Sequence, residues 1–178
     1  MKILKKVFIA LAILIAIPLV IALFVKKNFA LEKEITINKP KQEVFDYVKL
    51  LKNQNEYSTW NQMDPQMTHY YRGTDGTVGF ISSWESKEMG DGEQEIKKIT
   101  AGERVDTELR FGGTFPSVSP AYMITEAISD TQTKVKWGMS GHLAYPMNFM
   151  QVFMSMDKMV GDEYAKSLTN LKVLLEKH

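Results

Sequence analysis

The chain has 178 residues, 22 Lys and Arg against 21 Asp and Glu, a formal net charge of +1 and no cysteine. Near-neutral charge without a basic stripe excludes a dedicated nucleic-acid binder. The lack of cysteine removes disulfide scaffolds and thiol chemistry, and it leaves the redox compartment open.

From Val7 to Val25 there is no charged residue. Nineteen helical residues at about 1.5 Å each reach roughly 28 Å, close to the hydrocarbon thickness of a bilayer. Pro18 falls inside this run, but membrane helices tolerate proline where local adjustment satisfies the freed carbonyl. Lys2, Lys5 and Lys6 before an apolar run also fit a secretory signal. Against that, Lys26-Lys27-Asn28-Phe29-Ala30 offers no pair of small residues at cleavage spacing, and the run exceeds a signal core. A core helix would have to be apolar on all sides within a domain of about 150 residues. The expectation is a single-pass membrane anchor over residues 1–29, crossing the membrane through residues 7–25, and one domain over residues 30–178. Lysines nearly balance across the span, and Glu32 and Glu34 reduce the positive balance on the carboxyl side. That points to an extracytoplasmic domain.

Leu31 to Asn38 alternates around Ile35 and Ile37, the period of a half-buried strand. Pro40 then opens a short helix carrying Val44, Val48 and Leu51 at helical spacing, with Glu43 near its amino end. Asn53 to Pro65 is polar and broken, a second short helix or a loop, with Trp60 closing one end of the domain. Turn clusters follow at fairly regular intervals. Between them lie predicted strands Met67 to Arg72, Val78 to Ser86, Glu93 to Ile99, Arg104 to Phe111, Ala121 to Ala127 and Lys134 to Gly141. Short connections make these an antiparallel meander. From Met147 the period becomes helical, with a stripe of Phe149, Phe153, Met156, Val160, Tyr164, Leu168, Leu171 and Leu175. The expected fold class is α+β, a curved antiparallel sheet of about seven strands around a long carboxyl-terminal helix.

Glu34-Ile35-Thr36-Ile37-Asn38-Lys39-Pro40 followed by Glu43-Val44-Phe45-Asp46-Tyr47-Val48 resembles the strand-to-helix entry of the helix-grip (SRPBCC) superfamily, which includes START domains, the birch-pollen allergen and polyketide cyclases. Val135-Lys136-Trp137-Gly138-Met139-Ser140-Gly141 and Met156-Asp157-Lys158-Met159-Val160-Gly161 resemble the last strand and final helix of its membrane-anchored, bacterial polyketide cyclase/dehydrase-like branch. The resemblance covers Ala30 to the carboxyl end and implies a helix-grip fold enclosing an apolar ligand. The superfamily includes lipid carriers, receptors, cyclases and ubiquinone-binding chaperones, so the fold chooses no function.

Six of the eleven methionines, Met139, Met147, Met150, Met154, Met156 and Met159, lie between the last strand and the middle of the expected helix. Flexible thioethers suit a wall that repacks around varied apolar guests, although they also serve as ordinary core filler. The cavity lining expected is Trp84, Leu109, Phe111, Met123, Trp137, Met139, Met150, Phe153 and Met154. His69 and His142 sit in separate segments without metal-ligand spacing, and read as surface or satisfied histidines. Asp64, Asp157, Glu163, Arg110 and Tyr122 form no recognised catalytic constellation. The glycine pairs are hairpin glycines without a following helix, so no phosphate cradle, metal or cofactor is expected. The leading reading is membrane-anchored binding of a hydrophobic small molecule or lipid. A polyketide cyclase/dehydratase-like enzyme and a sensory or scaffold module for a membrane partner are the alternatives.

Overall fold

The computed structural model describes residues 2–113 and 116–177. It begins with helix α1, Lys2–Phe24, whose side chains are almost all exposed. Among the described residues it is the one helix long and apolar enough to cross a bilayer, a property that a signal sequence shares. Strand β1, Asn28–Ile37, leads into α2, Lys41–Val48, with Pro40 at its amino-terminal cap. Two short helices follow, α3 at Gln54–Tyr57 and α4 at Thr59–Met63. The meander comprises β2 Thr68–Arg72, β3 Ile81–Glu85, β4 Gly92–Thr100, β5 Arg104–Phe111, β6 Ser117–Ser129 and β7 Gln132–His142. Helix α5, Asp162–Glu176, ends the fold.

All seven strands form one antiparallel sheet in the order β1-β7-β6-β5-β4-β3-β2. This is the expected α+β helix-grip architecture. Alternate residues of β1 and β5 to β7 point to the inner face, as the period of two requires. There Leu31, Ile37, Ala121, Met123, Val135, Trp137 and Met139 pack with Tyr164, Leu168, Leu171 and Leu175 of α5. A second cluster, Phe45, Leu51, Phe80, Ile96 and Val105, lies beneath the other half of the sheet. Ser167 and Thr59 join α5 to α4 through a buried hydroxyl pair 3.2 Å apart.

Of the boundaries that differ from the expectation, three bear on the site. β1 starts at Asn28 and pairs with His142, so the sheet reaches almost to the end of α1. β6 starts at Ser117 despite Pro120. Its pairing with β7 begins only at Ala121↔Met139, and Pro120 faces Glu108 of β5 alone, so the missing proline N–H costs no bond on the β7 side.

The third difference concerns the expected long helix. Met147–Val152 is a 3-10 stretch, Asp157–Gly161 a π turn, and the regular helix begins at Asp162. The first part of the apolar stripe therefore does not lie on the sheet as a helix. Phe153 is 75% exposed, and Met150, Val152 and Met154 are exposed with it.

Candidate functional site

The sheet register fixes where the site lies. The start of β1, end of β7, start of β6, end of β5, start of β4, end of β3 and start of β2 share one end of the sheet, and α1 joins that end. Direct cross-strand neighbours share a face. One inward row at this end runs His69, Trp84, Gly92, Phe111, Ser117, and the row behind it includes Ser82, Gln94, Leu109 and Ser119. Several of these side chains are small where the rest of the inner face carries Leu, Val, Met and Trp. The space they leave is a cavity of about 310 Å³.

The opposite wall comes from the helices. Trp60 of α4 stands edge-on to Tyr164 at 5.4 Å and to Trp137 at 6.4 Å, and Trp137 stacks on Tyr164 at 4.3 Å. Offset and edge-to-face pairs of this kind hold rings rigidly, so the aromatic wall is pre-formed. Met156 and Val160 extend it, and Phe29 and Leu143 line it beside the end of α1.

A polar arc interrupts this apolar lining. Gln54, Asn55, Ser58 and Asn61 contribute from the α3–α4 segment, and Gln94, Ser82 and His69 from the sheet. Asn61 donates to Asn55 at 3.0 Å, and Gln94 donates to Thr107 at 3.0 Å. Half-buried His69 has its pKa lowered because burial disfavours the imidazolium, so its neutral ring faces the cavity. Burial pushes the Tyr164 phenol far up, and that hydroxyl stays neutral across the physiological range. Among the described residues, no group of three His, Asp or Glu side chains is placed to hold a metal ion.

Of the expected lining residues, Trp84, Leu109, Phe111, Trp137 and Met139 stand in the wall. Met123 lies in the packed core, where the Tyr57 hydroxyl meets its sulfur at 3.6 Å. Met150, Phe153 and Met154 are exposed beside the end of α1 and are not part of the wall. The stripe that suggested them does not continue as one helix. Both His69 and His142 line the cavity; His69 is half-buried, whereas His142 stays exposed with its Nδ1 2.7 Å from the Asn28 Oδ1. Arg110 points away from it, donating to Glu93 at 2.6 Å and Glu95 at 2.8 Å. The polar arc went unread because α3 and α4 are too short to show a period. The signal available was the small or polar character of Ser82, Gly92, Gln94, Ser117 and Ser119 at inward strand positions.

No protein-family model matches the chain, and no curated protein matches it. Solved structures do. Norcoclaurine synthase from Thalictrum flavum, in complex with dopamine and hydroxybenzaldehyde, superposes with a TM-score of 0.63 at 10% identity, covering 85% of this chain and 88% of that one. An uncharacterised protein from Rhizobium leguminosarum gives 0.61 at 14% identity, covering 85% and 97%. Ara h 8.0201 gives 0.52 at 17% identity, covering 81% and 98%. The chain thus has the helix-grip fold of these structures. At these identities the likeness concerns the fold.

Proposed function

We propose that the chain is a membrane-anchored binder of a hydrophobic small molecule or lipid, held in the cavity between the sheet and the carboxyl-terminal segment. The observation that carries this reading is the cavity itself, about 310 Å³ and walled by Trp60, Trp84, Leu109, Trp137, Met139 and Met156. Pockets of this size with a mainly apolar lining and a few convergent polar groups suit small-molecule ligands. At about 25 cal/mol per Å² of apolar area, burying some 300 Å² of ligand would contribute roughly 7 kcal/mol before ordering costs. The polar arc would orient one hydrophilic end of such a molecule. Helix α1, within residues 1–29, is the anchor in this reading, and the tether raises the concentration of the cavity near its lipid source.

A cyclase- or dehydratase-type enzyme is the second reading, favoured by neutral His69 in the wall beside Trp84. A water-excluding pocket that orients a folded substrate would serve such chemistry. Native mass spectrometry separates binding from no binding. The protein beginning at Lys26, so that β1 is kept whole, is purified without detergent and sprayed intact, then extracted with organic solvent. A co-purifying apolar molecule of fixed mass is the expected result. A domain that carries nothing and takes up neither fatty acids nor apolar dyes defeats the binding reading.

A further inference from the structure

The segment between β7 and α5 clamps the end of α1. The buried Asn148 side chain donates to the carbonyl oxygens of Ala22 at 2.6 Å and Val25 at 2.9 Å, and Gln151 donates to that of Lys26 at 2.7 Å. The Leu143 N–H donates to the Lys27 carbonyl at 2.8 Å. The last carbonyls of a helix lack intrahelical partners. Here Asn148 supplies the Ala22 carbonyl of the last turn and that of Val25 just beyond it, while Gln151 and Leu143 hold the next two residues. The apolar helix is therefore fixed to the domain at several points rather than leashed to it.

This clamp has an outer surface made of Met150, Val152, Phe153 and Met154, all exposed, with Phe149 packed edge-on to Phe153 at 5.2 Å. An apolar patch of this kind on a chain with a near-neutral charge needs a covering. The adjoining α1 is apolar from Val7 to Phe24 and exposed at most of those positions, and the patch continues that surface at its carboxyl-terminal end. By the sheet register, the cavity lies at the same end of the molecule, and Phe29, Leu143 and Met156 of its wall are neighbours of the clamp in the chain.

We propose that residues 149–154 insert into the bilayer interface beside α1, and that the cavity exchanges its ligand with the membrane at this end of the domain. The proposal rests on the reading of α1 as a membrane span. Aromatic and aliphatic side chains of an interfacial segment sink about 5–10 Å into the boundary between headgroups and acyl chains. Exposed Lys26 and Lys27 flank the insertion point, where cations meet lipid phosphates. A ligand leaving the acyl region would then pass along apolar side chains into the cavity without crossing water.

The chain has no cysteine, so single cysteines report unambiguously. Full-length protein carrying Phe153→Cys, Leu14→Cys or Val78→Cys is labelled with bimane and reconstituted into phosphatidylcholine/phosphatidylglycerol vesicles. Leu14 lies within α1, and exposed Val78 lies in the loop between β2 and β3 at the opposite end of the sheet. Quenching is read with lipids brominated at shallow or deep acyl positions and with aqueous iodide. The expected result is loss of about half the emission at position 153 with shallow bromines, deep quenching at 14, and iodide quenching at 78 alone. Iodide quenching at 153 with lipid quenching at 14 overturns the insertion and leaves the anchor standing. Protection at 153 from both quenchers also overturns it, because a protein surface then covers the patch. Iodide quenching at 14 overturns the anchor itself. Phe153 is exposed, and an unchanged circular dichroism spectrum confirms that its replacement leaves the fold intact.

Discussion

Asn148 reaches 126 positions back along the chain to hold the Ala22 carbonyl at 2.6 Å, and it is itself fully buried. One amide thus couples the last turn of the apolar helix to the loop after β7. Asn148→Ala removes the bonds to Ala22 and Val25 at a cost of about 1–3 kcal/mol, since buried acceptors lose their partner. Asn148→Asp costs more, because a carboxylate would face carbonyl oxygens. Hydrogen exchange read by mass spectrometry should show faster exchange at residues 143–152 in both variants, with β5 to β7 still protected. Unchanged protection in that loop would mean that the clamp contributes nothing.

Trp84 owes its position to two glycines. Its indole N–H donates to the Gly90 carbonyl at 3.1 Å, and its ring lies over Gly92 so closely that an added Cβ would collide with it and come within 2.9 Å of the Arg110 carbonyl oxygen. Neither backbone nor a packed indole yields cheaply. Gly92→Ala should cost about 1–3 kcal/mol and turn Trp84 out of the cavity wall. Tryptophan fluorescence checks it, with a red-shifted emission expected and a weaker response to apolar dye. Retention of both the spectrum and dye affinity would show that Trp84 is held by something else.

Filling the cavity and charging the outer patch should separate. Ser119 is buried and faces the cavity from β6. Ser119→Phe occupies that space and is expected to reduce apolar-dye affinity at least about tenfold, with stability changed by no more than about 1–3 kcal/mol. Phe153→Asp lies on the exposed patch and should leave dye affinity of the protein beginning at Lys26 within about twofold. Titration of both variants tests this, and an equal loss in the two would move the binding site to the clamp.

The strands were legible where alternation was strong. β5 runs from Arg104 to Phe111 as its Val105, Thr107, Leu109 and Phe111 pattern requires. The start of β6 was hidden by Pro120, which a sheet accepts only where it lacks a partner on the side of its missing N–H. The carboxyl-terminal stripe misled for a different reason. A hydrophobic period records that residues avoid water, and it does not say what replaces the water. Tyr164, Leu168, Leu171 and Leu175 turn to the sheet, whereas Met150, Phe153 and Met154 turn outward beside α1. The cavity itself was written in small inward residues, Ser82, Gly92 and Ser119, which composition and periodicity treat as noise. The polar arc of Gln54, Asn55 and Asn61 depended on tertiary placement of two helices of four and five residues.

His69 should make the stability of the fold depend on pH. Burial lowers its pKa in the folded state, so between that value and the ordinary value of about 6.5 the unfolded chain binds more protons than the folded one. Stability therefore rises with pH through this window. The contribution of the neutral ring is complete above about pH 6.5 and is lost as the pH falls through the folded pKa. Asp46, Glu95, Glu126 and Glu163 have lowered pKa values through hydrogen bonds to Lys49, Arg110, Lys136 and Lys166 respectively, and their contributions are lost only in the more acidic carboxylate range. His69→Gln keeps polarity and approximate size but cannot titrate. Thermal melts followed by circular dichroism at pH 7.5 and pH 5.5 should show a larger loss of Tm on acidification for the wild type than for the variant. His142 and His178 are common to both proteins, so the comparison isolates His69. Dye affinity at pH 7.5 should be unchanged in His69→Gln. Identical acid sensitivity in the two proteins would falsify the buried neutral ring, and lost turnover of a folded substrate with affinity retained would move His69 from the wall of a carrier to the catalytic group of an enzyme.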